Sequence, residues 1–272
     1  MINLAAPSLL FVPADRPERF DKALASGAGQ VIVDLEDAVA PADKAKARTS
    51  VENWCKRAGD AKILLRINDD STEWYTSDIA LAARPEIAGV VLPKVTPDSI
   101  TRFEDRLDKP VLALIETAAG LMDLSRIASS QRVERLLLGT IDLALDLRLD
   151  ADHPAGAAML DAACYQLVVA STAHQLPRPF DGVFTNLSDE EGLRATAISA
   201  RASGMGGMMC IHPKQLATVA AAFLPSDTEI AWANSVLREA ENHPGAFAFG
   251  GKMIDAPILA RAKSIIQSAR VA

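Results

Sequence analysis

Apolar residues in this chain gather into eight short runs, at 9–14, 31–37, 63–68, 89–95, 111–117, 136–143, 181–186 and 208–212. A run of that length bounded by turn signals reads as a strand buried on both faces. Amphipathic stretches with helical spacing follow at 16–26, 41–58, 72–84, 98–107, 121–129, 157–175, 189–202 and 213–223. Eight strand–helix units in 272 residues, close to the ~250 typical of the fold, predict an α/β architecture of the (β/α)8 TIM barrel type. A doubly wound Rossmann-like sheet is the alternative.

The pattern changes after residue 224. Ser226 or Asp227 is the expected N-cap of a helix running to about residue 243, Pro244 and Gly245 break it, and a last amphipathic helix covers 256–270. The chain therefore divides into a barrel, residues 1–224, and a C-terminal helical extension, residues 225–272, expected to pack as a lid on the barrel or on a neighbouring subunit.

Polar side chains collect at the ends of the apolar runs. Asp15 and Arg16 follow the first, Glu36 and Asp37 end the second, Arg66 and Asn68 the third, and Lys94 the fourth. Glu116, Asp142, Asn186 and His212 stand at the remaining four. A parallel barrel opens all these ends on one face, so the mouth is the candidate active site.

Glu116 and Asp142 are single carboxylates closing apolar runs, with Glu36 and Asp37 close behind them. They offer the hard oxygen donors that Mg²⁺ prefers. The plainer alternative is a helix-capping role for Glu116 near Thr117, or an ion pair with Arg66 or Lys94. Arg66 is a candidate clamp for a carboxylate, or else the partner of Glu36 or Asp37. Lys94 either tunes the mouth or neutralises its acidic cluster. Arg16, Arg19 and Lys22 surround a helix start at Pro17, where phosphates would bind, with pairing to Glu18 or Asp21 as the plainer alternative. His212 is a substrate contact or a hydrogen-bonded structural imidazole.

Composition narrows the class. A formal charge of −7 and a pI near 5.2 argue against a nucleic-acid partner, and the longest apolar runs fall short of a membrane helix. The first seven residues lack a basic leader region, and Cys55, Cys164 and Cys210 are widely spaced and odd in number, so buried thiols in a cytoplasmic protein are expected.

Taken in order, eight segments resemble the citrate lyase beta-subunit-like family of the HpcH/HpaI aldolase superfamily over nearly the whole chain. They are Ser-Leu-Leu-Phe-Val-Pro-Ala-Asp-Arg-Pro-Glu-Arg (8–19), Asp-Leu-Glu-Asp-Ala-Val (34–39), Arg-Ile-Asn (66–68) and Leu-Pro-Lys-Val (92–95), followed by Ile-Glu-Thr-Ala-Ala-Gly (115–120), Gly-Thr-Ile-Asp-Leu (139–143), Cys-Ile-His-Pro-Lys-Gln (210–215) and Met-Ile-Asp-Ala-Pro (253–257). Pro7, Ala14 and Asn186 depart from the arginine, glycine and aspartate that many relatives carry there.

The resemblance implies an Mg²⁺-dependent (or Mn²⁺-dependent) lyase that cleaves, reversibly, a 3-hydroxy-3-carboxyacyl-CoA such as citramalyl-CoA or malyl-CoA into acetyl-CoA and a 2-oxo acid. It implies Glu116 and Asp142 as metal ligands and Arg66 as the oxoacid anchor. The first strand–helix loop and residues 211–213 would border the CoA site. It also implies a homotrimer, with Asp255 of the C-terminal segment as acid/base, although Asp255 before Ala-Pro equally fits a helix N-cap. The alternatives are the beta subunit of a citrate lyase complex, acting on a citryl group held by an acyl-carrier protein, and a non-catalytic acyl-CoA-binding protein.

Overall fold

The structure, a computed structural model, describes residues 6–243 and 245–270. The expectation for the N-terminal leader therefore lies mostly outside the described residues, and that for Pro244 wholly so. Eight parallel strands close into a barrel in sequence order: β1 (Ser8–Pro13), β2 (Gln30–Asp34), β3 (Ile63–Arg66), β4 (Ile87–Leu92), β5 (Val111–Ile115), β6 (Val133–Leu138), β7 (Phe180–Asp181) and β8 (Gly207–Cys210). Closure comes from β8 against β1, with Ser8 opposite Met208. The barrel interior is a packed core of Leu9, Ile32, Leu64, Val91, Leu112, Leu114, Leu137, Phe180 and Met209. Barrel and helix layers cover both faces of each strand, which is why the runs read as continuously apolar rather than alternating.

Around the strands lie α1 (Phe20–Leu24), α2 (Lys44–Cys55), α3 (Tyr75–Ala82), α4 (Pro97–Glu104), α5 (Ala118–Met122), α6 (Leu124–Ala128), α7 (Thr140–Asp146), α8 (Pro154–Ala173), α9 (Glu190–Ala202) and α10 (Gln215–Phe223). Their starts follow local chemistry. Thr96 caps α4 through a reciprocal bond pair with Ser99, and Pro97 sits in the first turn, where its missing N–H costs nothing.

The strands end sooner than the apolar runs. β2 stops at Asp34, leaving Glu36 and Asp37 in the following loop, and β6 stops at Leu138. Gly139 then serves as N-cap of α7, so Asp142 lies in the first turn of a helix and not at the end of a strand. The run Leu-Leu-Leu-Gly-Thr-Ile crosses a strand-to-helix junction, and hydrophobicity alone does not register the change.

The chain separates into two compact units, residues 1–220 and 221–272. In the second, α11 (Asp227–Ala240) starts at Ser226, one of the two N-caps expected from the sequence, and a capping box to Glu229 completes it. The break before α12 (Ala256–Arg270) is not a plain turn. It is a hairpin of β9 (Phe247–Phe249) and β10 (Lys252–Ile254), turned by Gly250 and Gly251 at φ 55° and 75°. Two consecutive positive φ values match the right-handed twist of a two-residue hairpin, and glycine adopts them without a Cβ clash. Ala233, Val236, Phe247, Ile254, Ala262 and Ile265 form this unit's core.

Candidate active site at the barrel mouth

Glu116, directly after β5, is 1% exposed. Its Oε1 accepts the Lys94 backbone N–H at 2.8 Å, and it forms no ion pair among the described residues. Thr117, not Glu116, caps α5 by accepting from the Gly120 N–H at 3.1 Å. Burial, reinforced by the charge of Glu36, pushes the Glu116 carboxyl up to about 8. A buried carboxylate with one neutral donor is an expensive arrangement, and a cation beside it removes the cost. Gly139 makes room for this side chain: a Cβ at residue 139 would lie 2.5 Å from Glu116 Cβ and 2.7 Å from Oε2.

Asp142 stands half-buried on α7 and engages no side-chain hydrogen bond among the described residues. The two carboxylates come from neighbouring barrel positions, after β5 and β6. Among the described residues no three Asp, Glu, His or Cys side chains converge to hold a metal. Two carboxylates suit a small hard divalent ion, which keeps several positions for water and substrate oxygens. The donor set therefore fits magnesium and leaves an open site.

Beside Glu116 runs a charged network. Arg66 donates from Nε to Asp34 Oδ1 at 2.7 Å and from Nη2 to Asp34 Oδ2 at 2.6 Å, while Nη1 faces Glu36 Oε2 at 3.1 Å and Asp37 at 3.7 Å. Burial opposes the charge on Arg66, but Asp34, Glu36 and Asp37 outweigh it and raise its pKa. Lys94 Nζ meets Glu36 Oε1 at 2.6 Å. The Glu36 carboxyl is raised, chiefly by burial.

The loop that presents Glu36 is held from below. Lys44 Nζ donates to the carbonyls of Leu35 and Glu36 at 2.6 and 2.7 Å, and Asn68 Nδ2 donates to Leu35 O and to the buried Asp78. Asp34 also accepts from the backbone N–H groups of Glu36 and Ala38. Sequence reasoning passed over Asp34, Lys44 and Asp78 as site residues. Asp34 had a signal, since it opens the Asp-Leu-Glu-Asp segment, whereas the other two became visible only through the fold.

The remaining candidates make other contacts. Arg16 and Arg19 are exposed and pair at 3.8 Å with Asp15 and Glu18, their sequence neighbours. Lys22 is exposed, and Asp21 turns to Trp54 and Arg57. His212 Nδ1 accepts from the Lys214 N–H at 3.1 Å, which leaves Nε2 as the protonated nitrogen. Asn186 folds back on Ser188. Asp255, in the second unit, accepts from the Ile258 N–H at 3.3 Å and so caps α12. Cys55, Cys164 and Cys210 are free thiols, all buried. No helix among the described residues is long and apolar enough to cross a membrane.

Residues 7–213 match the family model described as HpcH/HpaI aldolase/citrate lyase. The chain belongs to this family. Among its relatives, a citrate lyase subunit beta-like protein of Mycobacterium tuberculosis is 35% identical, over 98% of this chain and 97% of that one. A (3S)-malyl-CoA thioesterase of Cereibacter sphaeroides is 34% identical, over 91% and 89% of the two chains. An L-malyl-CoA/beta-methylmalyl-CoA lyase of the same species is 32% identical, over 96% and 94%. The crystal structure of protein CitE from M. tuberculosis in complex with magnesium, acetoacetate and coenzyme A superposes with a TM-score of 0.88, at 34% identity, over 98% of this chain and 99% of that one. The likeness thus extends through both units.

Proposed function

We propose that this family member is a magnesium-dependent carbon–carbon lyase that splits a malyl-CoA-type or citramalyl-CoA-type thioester, reversibly, into acetyl-CoA and a 2-oxo acid. The observation that carries the reading is Glu116: a carboxylate buried at the barrel mouth with one neutral donor, with Asp142 following the neighbouring strand. Magnesium bound in the similar CitE structure supports the same assignment. A divalent ion held by Glu116 and Asp142 would supply Lewis acidity to the hydroxyl and carboxylate oxygens of the substrate.

The protein's own groups supply the rest. Arg66 is aimed by Asp34, and the field of its guanidinium favours the oxoacid carboxylate and the enolate oxygen that develops on cleavage. Asp255 is assigned the proton that completes acetyl-CoA. Arg16, Arg19 and Lys22 supply cationic charge for the CoA phosphates, and His212 offers Nε2–H to the thioester portion. We also carry a homotrimer in the reading. Met122 on α5 and Ile141 and Leu145 on α7 are exposed apolar side chains that a second copy would cover. The three buried thiols favour a cytoplasmic setting.

A thioesterase is the second reading, favoured by the malyl-CoA thioesterase among the relatives. One experiment separates the two. Purified protein is given malyl-CoA, citramalyl-CoA and citryl-CoA, with Mg²⁺ or excess chelator, beside Glu116→Ala, and the products are identified by mass spectrometry. Metal-dependent acetyl-CoA plus a 2-oxo acid, absent in the variant, is the expected result. Free CoA with the intact hydroxy acid means hydrolysis. Binding without any product points to a non-catalytic acyl-CoA-binding protein, and turnover only of an acyl-carrier-protein thioester points to a citrate lyase subunit.

A further inference from the structure

Three described residues other than glycine have a left-handed backbone: Lys94, Arg148 and Gln175. Arg148 and Gln175 each directly follow the C-cap of a helix, α7 and α8, where this conformation is the ordinary way to end a helix. Lys94, at φ 46°, follows a strand and has no such explanation. Strain of this kind persists where the surroundings impose it, and here both ends of the residue are committed. Its N–H is fixed on Glu116 Oε1 at 2.8 Å, and its ammonium on Glu36 Oε1 at 2.6 Å. A glycine would adopt the same φ without strain and would still give the N–H. What glycine lacks is the ammonium.

The ammonium has a specific task. Glu36 is buried, its charge acts on Glu116, and its Oε2 makes no hydrogen bond, having only Arg66 Nη1 near it at 3.1 Å. It is therefore a third carboxylate within the field of the first, with one oxygen uncommitted to hydrogen bonding. A lyase needs open metal positions for two substrate oxygens, and every added protein carboxylate tightens the ion and closes a position.

We propose that Lys94 is a positioning residue that withholds Glu36 from the metal with its ammonium while turning Glu116 toward it with its backbone N–H, so that Glu116 and Asp142 alone ligate. The proposal rests on the reading of Glu116 as a metal ligand given above. It places Lys94 behind the metal ligands, tuning the mouth rather than merely neutralising its acidic cluster.

The test is titration of the chelator-treated full chain with Mn²⁺, following free Mn²⁺ by electron paramagnetic resonance, with folding checked by circular dichroism. Lys94→Met and Lys94→Gly are each expected to bind Mn²⁺ about tenfold more tightly, because Glu36 becomes an added anionic ligand. Both should lose kcat on the preferred thioester, and general damage to the site would not combine tighter metal with slower turnover. Adding Glu36→Gln to Lys94→Met should return Mn²⁺ affinity to that of the parent protein. Lys94→Gly keeps the test valid if the methionine variant misfolds, since glycine suits φ 46°. Unchanged or weaker Mn²⁺ binding in the folded Lys94 variants, or no reversal by Glu36→Gln, overturns the proposal. Glu116→Gln reads the underlying assignment separately: if it leaves Mn²⁺ affinity intact, the metal site itself is wrong and the role of Lys94 falls with it.

Discussion

Asp34 grips Arg66 with both carboxylate oxygens, at 2.7 and 2.6 Å, across the β2–β3 pairing in which the two residues are direct partners. Nearly the whole guanidinium is withdrawn from solvent, and its charge is balanced chiefly by this contact. Removing one partner of such a buried pair costs about 3–5 kcal/mol, because the other charge stays behind. Asp34→Ala should lose that much stability in urea unfolding, and more of it than Arg66→Lys, which keeps a cation but not the fork. A loss below about 1 kcal/mol for Asp34→Ala would show that Glu36 and Asp37 suffice to hold Arg66.

That pairing also marks how far the sequence could be read. Seven strands were visible as short apolar runs, whereas β7, Phe180–Asp181, meets its expected run of 181–186 only at Asp181; Asp34 was merged into its run and set aside in favour of Glu36 and Asp37. Its partner depends on strand register, which apolar spacing does not specify for strands buried on both faces. Lys44 lies near the loop after β2 in sequence, yet Asp78 and Asn68 come from beyond the next strand, so their convergence is a product of closure. Asp142 was singled out by residue type as a candidate and misplaced by element, since Gly139 turns strand into helix inside a run that remains apolar. The hairpin at 247–254 was legible and missed: Phe-Ala-Phe-Gly-Gly-Lys-Met-Ile has the two-residue glycine turn such hairpins favour.

Gly139 is a sharp probe of the Glu116 site. Its φ of −89° is open to any residue, so Gly139→Ala meets no backbone penalty. The added methyl instead occupies the place of Glu116, with contacts of 2.5 Å to Cβ and 2.7 Å to Oε2. Overpacking of that kind costs about 1–3 kcal/mol. The displaced carboxylate should weaken Mg²⁺ binding about tenfold or more, read by isothermal titration. Parent-like Mg²⁺ affinity in Gly139→Ala would mean that Glu116 is not held to one position by its neighbours, or does not ligate.

Asp181 carries the pH prediction. It lies on β7, partly buried; its Oδ1 accepts from the Gly182 N–H at 2.8 Å, and no cation pairs with it among the described residues. Burial raises its pKa; the Gly182 bond opposes the rise, and the charge of Asp161 on α8 adds to it. As pH climbs past the ordinary carboxylate value, the unfolded chain releases this proton while the folded chain retains it. The unfolded state then binds fewer protons, so stability falls with rising pH until the folded group ionises as well. Asp181→Asn keeps the acceptor for Gly182 and cannot ionise. Its melting temperature should exceed that of the parent by about 2–4 °C at pH 8 and converge with it near pH 4, as measured by calorimetry in the same chelated buffer series. A variant that is less stable at pH 8, or whose difference does not change with pH, would show that the Asp181 charge is compensated in the folded protein.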